Sequence, residues 1–142
     1  MIRAFLDANV LFAAACSRRG SSWVVIQESR VQDDLVVMST DYVFDETERK
    51  LREKSPASLD EFADLRSLVE TCAEPSDALI QHLVQLVQDE NDRPVLAGAI
   101  SAEADWLLTW DDADFGHLYG IRVYDVLVSD PGSGLHMYRR QD

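Results

Sequence analysis

The sequence has few of the features that mark a membrane protein or a disulfide-bonded secreted protein. No apolar run approaches the roughly 20 residues that a membrane-spanning helix needs. The start, MIRAFLDANV, places one arginine and an acid in a strand-like run, which is not a signal peptide. Two cysteines, Cys16 and Cys72, are too few for a disulfide scaffold, and no CxxC occurs. We therefore expect buried free thiols, a cytoplasmic location and no membrane association.

Basic side chains are also scarce. The 142 residues include 13 Lys and Arg against 26 Asp and Glu, a net charge of −13. Residues 55–138 carry 3 basic and 16 acidic side chains, whereas residues 1–54 are nearly balanced. Such a charge repels nucleic acid at long range, so nucleic-acid binding needs metal ions and a local basic face. The candidate faces are Arg18–Arg19, which we interpret as solvated, and the cluster Arg49, Lys50, Arg52 and Lys54.

Short apolar runs alternate with amphipathic segments along the chain. The runs predict strands at Ile2–Leu6, Leu35–Met38, Trp106–Trp110 and Ile121–Val128. Apolar residues at helical spacing lie between them, including a helix through Phe62–Val69 and another after Pro75. This alternation predicts a single-domain, three-layer α/β/α fold with a central parallel sheet. We expect the domain to cover residues 1–130 and residues 131–142 to form a poorly ordered tail.

Four acidic residues stand where apolar runs end or helices begin. In an open parallel sheet this edge is where ligands bind. Like charges gathered there repel one another unless a cation neutralises them or one takes up a proton. Hard divalent cations prefer oxygen ligands, so Mg²⁺ or Mn²⁺ is the expected occupant. The four candidate catalytic residues are Asp7, Glu46, Asp92 and Asp111.

Each of these acids has an alternative interpretation. Asp7 could cap the helix that follows it, and Glu46 could be an exposed helix residue like its acidic neighbours. Asp92 could be a simple helix cap, and Asp89 could replace it in the site. Spacing alone does not separate the last group of acids; we rank Asp111 first, Asp114 second and Asp112 as solvent-exposed. No histidine has ligand spacing; they are His82, His117 and His136.

Three segments in order resemble the PIN-domain nucleases: FLDANVLF, then Ser39 through VFDETERKL, then DENDRPVLAGAISAEADWLLTWDDADF. The resemblance covers about Ile2 to Val128 and implies cleavage of single-stranded RNA that depends on Mg²⁺ or Mn²⁺. Such nucleases are often the toxin of a toxin–antitoxin pair, and the resemblance implies this role as well. The metal ligands expected on this basis are Asp7, Asp92, Asp111 and Asp114. The residues expected to support them by hydrogen bonding are Asn9, Ser39 and Thr109.

The chain departs from the family pattern at Trp110, where the family usually has a small or polar residue. Such a ring would either narrow the mouth of the site or stack on a base. Apolar helices near Trp23, Phe62 and Leu68 predict a homodimer and an antitoxin helix docked in an apolar groove.

The nuclease has two alternatives. A metal-dependent phosphatase or phosphotransfer domain fits poorly, because lysine occurs only at Lys50 and Lys54 and the chain has Asp7-Ala8-Asn9 in place of Asp-x-Asp. The alternative that remains is a catalytically weak or silent, acidic PIN-like module that binds a basic protein.

Overall fold

The computed structural model describes residues 1–140 and contains one mostly parallel sheet covered by helices. Within these residues, no helix is both long and apolar enough to span a membrane. The strands are β1 (Ile2–Leu6), β2 (Leu35–Thr40), β3 (Glu70–Cys72), β4 (Trp106–Leu108), β5 (Arg122–Val123) and β6 (Val126–Ser129). The helices are α1 (Ala8–Cys16), α2 (Ser21–Val31), α3 (Asp41–Lys54), α4 (Leu59–Arg66), α5 (Asp77–His82), α6 (Arg93–Ser101), α7 (Asp112–Phe115) and α8 (Pro131–Arg139).

The strand order is β3-β2-β1-β4-β6-β5, and every neighbouring pair is parallel except β5 with β6. The order changes direction between β1 and β4, which are hydrogen-bonded neighbours with Leu6 opposite Leu108. In an open α/β sheet such a switch point opens a crevice at the carboxyl ends of the strands. The predicted α/β fold with a central sheet is therefore confirmed, with one antiparallel strand at its edge.

Helices cover both faces of the sheet. Phe5 is the register partner of Leu107, so both face one side, and the next residue, Leu108, faces the other side. On the first face α6 approaches so closely that a Cβ on Gly98 would lie 3.0 Å from Phe5 Cζ. On the second face a Cβ on Gly134 of α8 would lie 2.8 Å from Leu108 Cδ2. These contacts give the three layers expected from the sequence.

Helix α3 matters most for the site because it carries Glu46. Its side-chain cap is Thr40, whose hydroxyl accepts a hydrogen bond from Val43 N. Its buried stripe consists of Val43, Phe44, Thr47 and Leu51 at helical spacing. Its opposite face carries ion pairs between side chains four residues apart, such as Arg52 with Glu48 at 2.9 Å. These features hold the helix in one orientation over the sheet edge.

The structure differs from the sequence expectation in two strands. The segment after Val69 is strand β3 and was not predicted, because only three residues pair with β2 and two of them, Glu70 and Thr71, are exposed. The run Ile121–Val128 is not one strand but a hairpin. Its turn residues Tyr124 and Asp125 have φ values of 52° and 71°, a conformation that the sequence does not signal with glycine or asparagine.

The predicted poorly ordered tail is instead helix α8 as far as Arg139; residues 141–142 lie outside the described part of the chain. The Asp130 side chain caps this helix by accepting a 2.8 Å hydrogen bond from Ser133 N, and Leu135 is buried. The glycines that suggested disorder allow close packing, as at Gly134. The expectation of buried thiols is also wrong: Cys16 is exposed and Cys72 is half-buried on β3.

Candidate active site

Acidic side chains from four segments meet at the carboxyl edge of β1 and β4. A pocket of about 60 Å³ there is lined by Asp7, Glu46, Asp92 and Asp111, together with Asn9, Tyr42 and Lys50. Asp114 lies beside Asp92, and the two have carboxylate oxygens within 4.8 Å of one another. We call Asp7, Asp92, Asp111 and Asp114 the acidic centre. Residues far apart in sequence reach this point because their segments follow β1, precede α6 and follow β4.

Asp7 is the most buried member of the acidic centre, with 4% of its surface exposed. Its carboxylate accepts hydrogen bonds from Ala8 N at 2.7 Å, Thr109 Oγ1 at 2.9 Å and Asn9 Nδ2 at 3.4 Å. It therefore caps α1 and faces the pocket at the same time. Burial raises the pKa of Asp7, the hydrogen bonds from Thr109 and Ala8 act against this, and the charge of Asp111 adds to it.

Thr109 connects the ends of the two central strands. Its hydroxyl donates to Asp7 and accepts from Asn9 Nδ2 at 3.2 Å and from Asp111 N at 3.1 Å. Asn9 in turn accepts a 2.9 Å hydrogen bond from Trp110 N through its Oδ1. The structure thus brings Asn9 and Thr109 to the carboxylates, as the sequence analysis expected.

Ser39 has a different contact from the one expected. Its hydroxyl donates to the backbone carbonyl of Leu6 at 2.8 Å, and the side chain is fully buried in β2. It does not reach a carboxylate, because it lies one strand away from the pocket in the sheet. It holds in place the end of β1 that presents Asp7.

Asp92 precedes α6, but its side chain makes no capping hydrogen bond with residues 1–140. Its carboxylate instead groups with those of Asp89 and Asp114 within 4.8 Å. Burial raises the pKa of Asp92 to about 8, aided by a hydrogen bond with Asp114 and the charges of Asp7 and Asp111. Asp89 therefore lies next to Asp92 and does not replace it. This raised pKa favours the protonated form of Asp92 at neutral pH unless a cation is bound.

The three acids after β4 take different positions. Asp111 caps α7 by accepting a 3.0 Å hydrogen bond from Asp114 N and lines the pocket. Burial raises the pKa of Asp111, and the charge of Asp114 adds to the effect. Asp112 is exposed on the first turn of α7. The structure thus separates by position three acids that spacing alone did not.

Glu46 lines the pocket but is paired with cations of its own helix. Its Oε1 lies 2.8 Å from Arg49 Nη2 and 3.4 Å from Lys50 Nζ. Burial alone would raise the pKa of Glu46, but the hydrogen bonds and charges of Arg49 and Lys50 lower it. The pKa of Glu46 therefore shifts in the opposite direction to the pKa values of Asp92 and Asp111.

Tyr42 is a pocket residue that the sequence analysis did not identify. Its hydroxyl donates a 2.6 Å hydrogen bond to the carbonyl of Asn91, which joins α3 to the loop that carries Asp92. Burial raises the pKa of Tyr42, and the charges of Glu46 and Asp92 add to this. The signal that could have found it is its position four residues before Glu46, on the same face of α3.

The donor set fits a hard divalent cation. The acidic centre offers carboxylate oxygens, the ligands that Mg²⁺ and Mn²⁺ prefer. Burial raises the pKa values of Asp7, Asp92 and Asp111, and the charges of neighbouring carboxylates add to this, so the ionised site lacks compensating charge from the protein. A bound cation would supply the missing compensation.

The fold and the pocket define an α/β protein with a carboxylate centre at the switch point of its sheet. Residues 3–113 match the family model of the PIN domain, so the chain belongs to the PIN domain family. A search of curated protein sequences found no significant match.

Several solved structures share the fold at low sequence identity. VapBC2 from Rickettsia felis, bound to a DNA fragment from its promoter, is 16% identical, with a TM-score of 0.66 over 91% of this chain and 98% of the other. VapBC-1 from nontypeable Haemophilus influenzae is 15% identical, with a TM-score of 0.64 over 92% and 99%. VapC20 from Mycobacterium tuberculosis, described as a Sarcin-Ricin loop cleaving toxin, is 16% identical, with a TM-score of 0.56 over 78% and 91%.

Proposed function

We propose that this PIN-domain protein is an endoribonuclease that cleaves single-stranded RNA with Mg²⁺ or Mn²⁺ and acts as the toxin of a toxin–antitoxin pair. The observation that carries the proposal is the convergence of Asp7, Asp92 and Asp111 in one pocket, with Asp7 buried and its orientation held by three hydrogen bonds. Membership of the PIN domain family and the toxin named in one structural neighbour support it.

The acidic centre is suited to phosphodiester hydrolysis. A divalent cation bound there would lower the pKa of a water molecule and neutralise charge that develops on the phosphate. The protein's part is to hold carboxylates rigidly: Ala8 N and Thr109 orient Asp7, and Asp114 N orients Asp111. Asp92, whose pKa is raised by burial and by the neighbouring Asp114, would release its proton when a cation binds.

The basic face of α3 offers a path for the RNA backbone. Lys50 lines the pocket, and Arg49 and Arg52 follow on the exposed side of the same helix, where they pair with Glu46 and Glu48. Arg18, from the other basic cluster, is paired with Glu61 at 3.1 Å. We infer that phosphates approach the acidic centre along α3, which locally offsets the net charge of −13.

A groove between α2 and α4 is the proposed contact for an antitoxin. It has a volume of about 290 Å³, and its walls include Trp23, Leu65 and Leu68 with Arg30 and Glu61 at its borders. An amphipathic helix placed in such a groove would bury these apolar side chains. Two of the structural neighbours are VapBC complexes, which supports a protein partner.

The test is cleavage of a mixed pool of single-stranded RNA at saturating Mn²⁺. Each amide variant keeps the shape of the side chain but loses the charge that holds a hard cation. We expect cleavage to be abolished in Asp7→Asn, Glu46→Gln, Asp92→Asn and Asp111→Asn. A double variant should be little worse than a single one, since residues of one metal site act as a unit.

Asp112→Asn is the matched control, because Asp112 is exposed on the same segment as Asp111. It should cleave at the wild-type rate, and Asp114→Asn should be intermediate. Full activity in Asp7→Asn would contradict the metal-dependent nuclease. A wild-type protein that binds a basic protein but neither Mn²⁺ nor RNA would instead support the alternative function, an acidic binding module.

A further inference from the structure

Trp110 is a large aromatic residue that the fold leaves partly uncovered. Its relative exposure is 43%, against 4% for Trp106, which packs in β4 only four residues earlier. The ring of Trp110 therefore contributes less to the hydrophobic core than its size allows. It lies between Thr109 and Asp111 in the chain, just outside the residues that line the pocket, and its indole reaches Ser22 on α2.

Trp110 is held by one hydrogen bond from its backbone and one from its ring. The backbone N–H of Trp110 donates to Asn9 Oδ1 at 2.9 Å, and the indole Nε1 donates to Ser22 Oγ at 2.8 Å. Ser22 itself is buried at the start of α2. The indole hydrogen bond to Ser22 restricts the rotamers of the exposed side chain, and the bond from the backbone N–H fixes the position of the residue beside Asn9. A ligand that packs against the ring would not have to supply that ordering free energy.

The hydrogen bond from the backbone of Trp110 also connects this residue to the carboxylates. Asn9, which accepts from Trp110 N, donates to Asp7 Oδ2 at 3.4 Å, and Thr109 receives the N–H of Asp111 at 3.1 Å. A nucleotide whose phosphate lies at the acidic centre projects its base outward by the length of one sugar. An RNA strand that leaves the pocket past the end of β4 toward α2 would bring that base to the exposed ring of Trp110.

We propose that Trp110 binds substrate by stacking on the base of a nucleotide next to the cleaved phosphate. This rests on the proposed ribonuclease function and assigns its substrate a nucleobase contact. Every base has a π-face, so stacking of this kind tolerates different bases. Stacking involves no net charge, so it adds affinity for RNA that does not depend on the negative charge of the acidic centre. Trp110 selects for an unpaired base, because a base in a duplex is already stacked on its neighbours.

The experiment is a cycle that combines protein variants with abasic substrates. The probe is a short single-stranded RNA in which one base at a time, around the cleaved bond, is replaced by an abasic sugar. Trp110→Ala should lower kcat/KM on the intact RNA by roughly 5- to 150-fold, the range for loss of one stacked base. One abasic position should lower kcat/KM of the wild type by a similar factor and leave Trp110→Ala unchanged.

Two further variants control for the ring and for exposure. Trp110→Phe keeps an aromatic ring and should retain most of the wild-type kcat/KM, even if Trp110→Ala is unstable. Tyr124→Ala removes another exposed aromatic side chain, which is 58% exposed. Tyr124 lies in the turn between β5 and β6, so it precedes β6 and is away from the carboxyl end of that strand. This variant should leave both kcat/KM and the abasic pattern unchanged.

A fluorescence measurement gives a readout apart from cleavage. With Ca²⁺ in place of Mn²⁺, RNA should quench indole emission in the wild type but not in Trp110→Phe, because stacking quenches the ring it covers. Equal quenching in both proteins would overturn the proposal. An unchanged kcat/KM in Trp110→Ala would also overturn the proposal, and it would indicate that the exposed ring contacts another protein instead of RNA. A wild type that cleaves no RNA would refute the ribonuclease function itself, which is a distinguishable result.

Discussion

Replacing Asp92 by asparagine should make the metal-free protein more stable and the metal-loaded protein less stable. Asp92 suits this test better than Asp7, because the Asp7 carboxylate accepts hydrogen bonds from Ala8 N and Thr109 that an amide would satisfy poorly. The Asp92 side chain instead lies against Asp89 and Asp114. Asp92→Asn therefore removes like-charge repulsion at small cost in hydrogen bonds.

The effect on the free energy of unfolding depends on pH. The folded protein raises the pKa of Asp92 from 3.8 to about 8. Below the lower value both states hold the proton, and Asp92 has no effect. Between the two values the unfolded chain has lost a proton that the folded chain keeps, so the wild type loses stability as pH rises through this window. Asparagine cannot titrate, and the variant should be the more stable protein at pH 8–9, by about 1 kcal/mol, or about 3 °C in Tm.

Mn²⁺ should reverse this order. At 100 times its dissociation constant, the metal would stabilise the wild type by about 2.7 kcal/mol, or about 8 °C in Tm. Asp92→Asn lacks one ligand and should gain far less. The assay is thermal unfolding of both proteins at pH 8 with EDTA and with millimolar Mn²⁺, and Asp112→Asn serves as the control that follows the wild type. Unfolding curves of the wild type that ignore Mn²⁺, or an order that does not reverse, would refute the reasoning.

Three other predictions concern assembly, backbone strain and charge. The apolar surface around Trp23 should form a homodimer, which light scattering at high micromolar concentration would detect; a strict monomer would contradict it. Asp125→Gly should raise the free energy of unfolding by about 1 kcal/mol, because Asp125 has a φ of 71° that glycine adopts without strain; denaturant titration measures this, and no gain would show that the turn is unstrained. Lys50→Ala should reduce the salt dependence of RNA binding, lowering the magnitude of the slope of log K against log salt by about 0.7, whereas Arg18→Ala, which lies outside the pocket, should change it less.

Much of the fold was predictable because its signals are local. The strands β1, β2 and β4 are continuous apolar runs, and Asp7 and Asp111 follow two of them directly. Strand β3 was not predictable in this way, since Glu70 and Thr71 are held by pairing with β2 and not by their own preferences. Helix α8 was missed for a related reason: Gly134 lowers helix propensity but lets the helix lie against Leu108.

The sequence was enough to predict that acidic residues gather at the carboxyl edge of the sheet. It was not enough to predict which side chains each acid contacts. Spacing could not show that Asp92 lies beside Asp114, because this contact depends on how helices α6 and α7 begin at one edge. The contact of Ser39 with Leu6 O was out of reach because it depends on the packing of two strands. The pairing of Glu46 with Arg49 is different, since the two residues are three apart on one helix and their spacing alone indicates it.

The hydrogen bonds of Asn9 show how much depends on a single atom. Its nitrogen donates to Thr109 and toward Asp7, while its oxygen receives the backbone N–H of Trp110. An aspartate at this position has nearly the same shape and would still receive that N–H. It would lose both donors, however, and place a second carboxylate against Asp7. The exchange of one nitrogen for one oxygen would turn Asp7-Ala8-Asn9 into Asp-x-Asp, add a charge to the pocket and remove the hydrogen bond from residue 9 to Thr109, while the bond from Thr109 to Asp7 would remain.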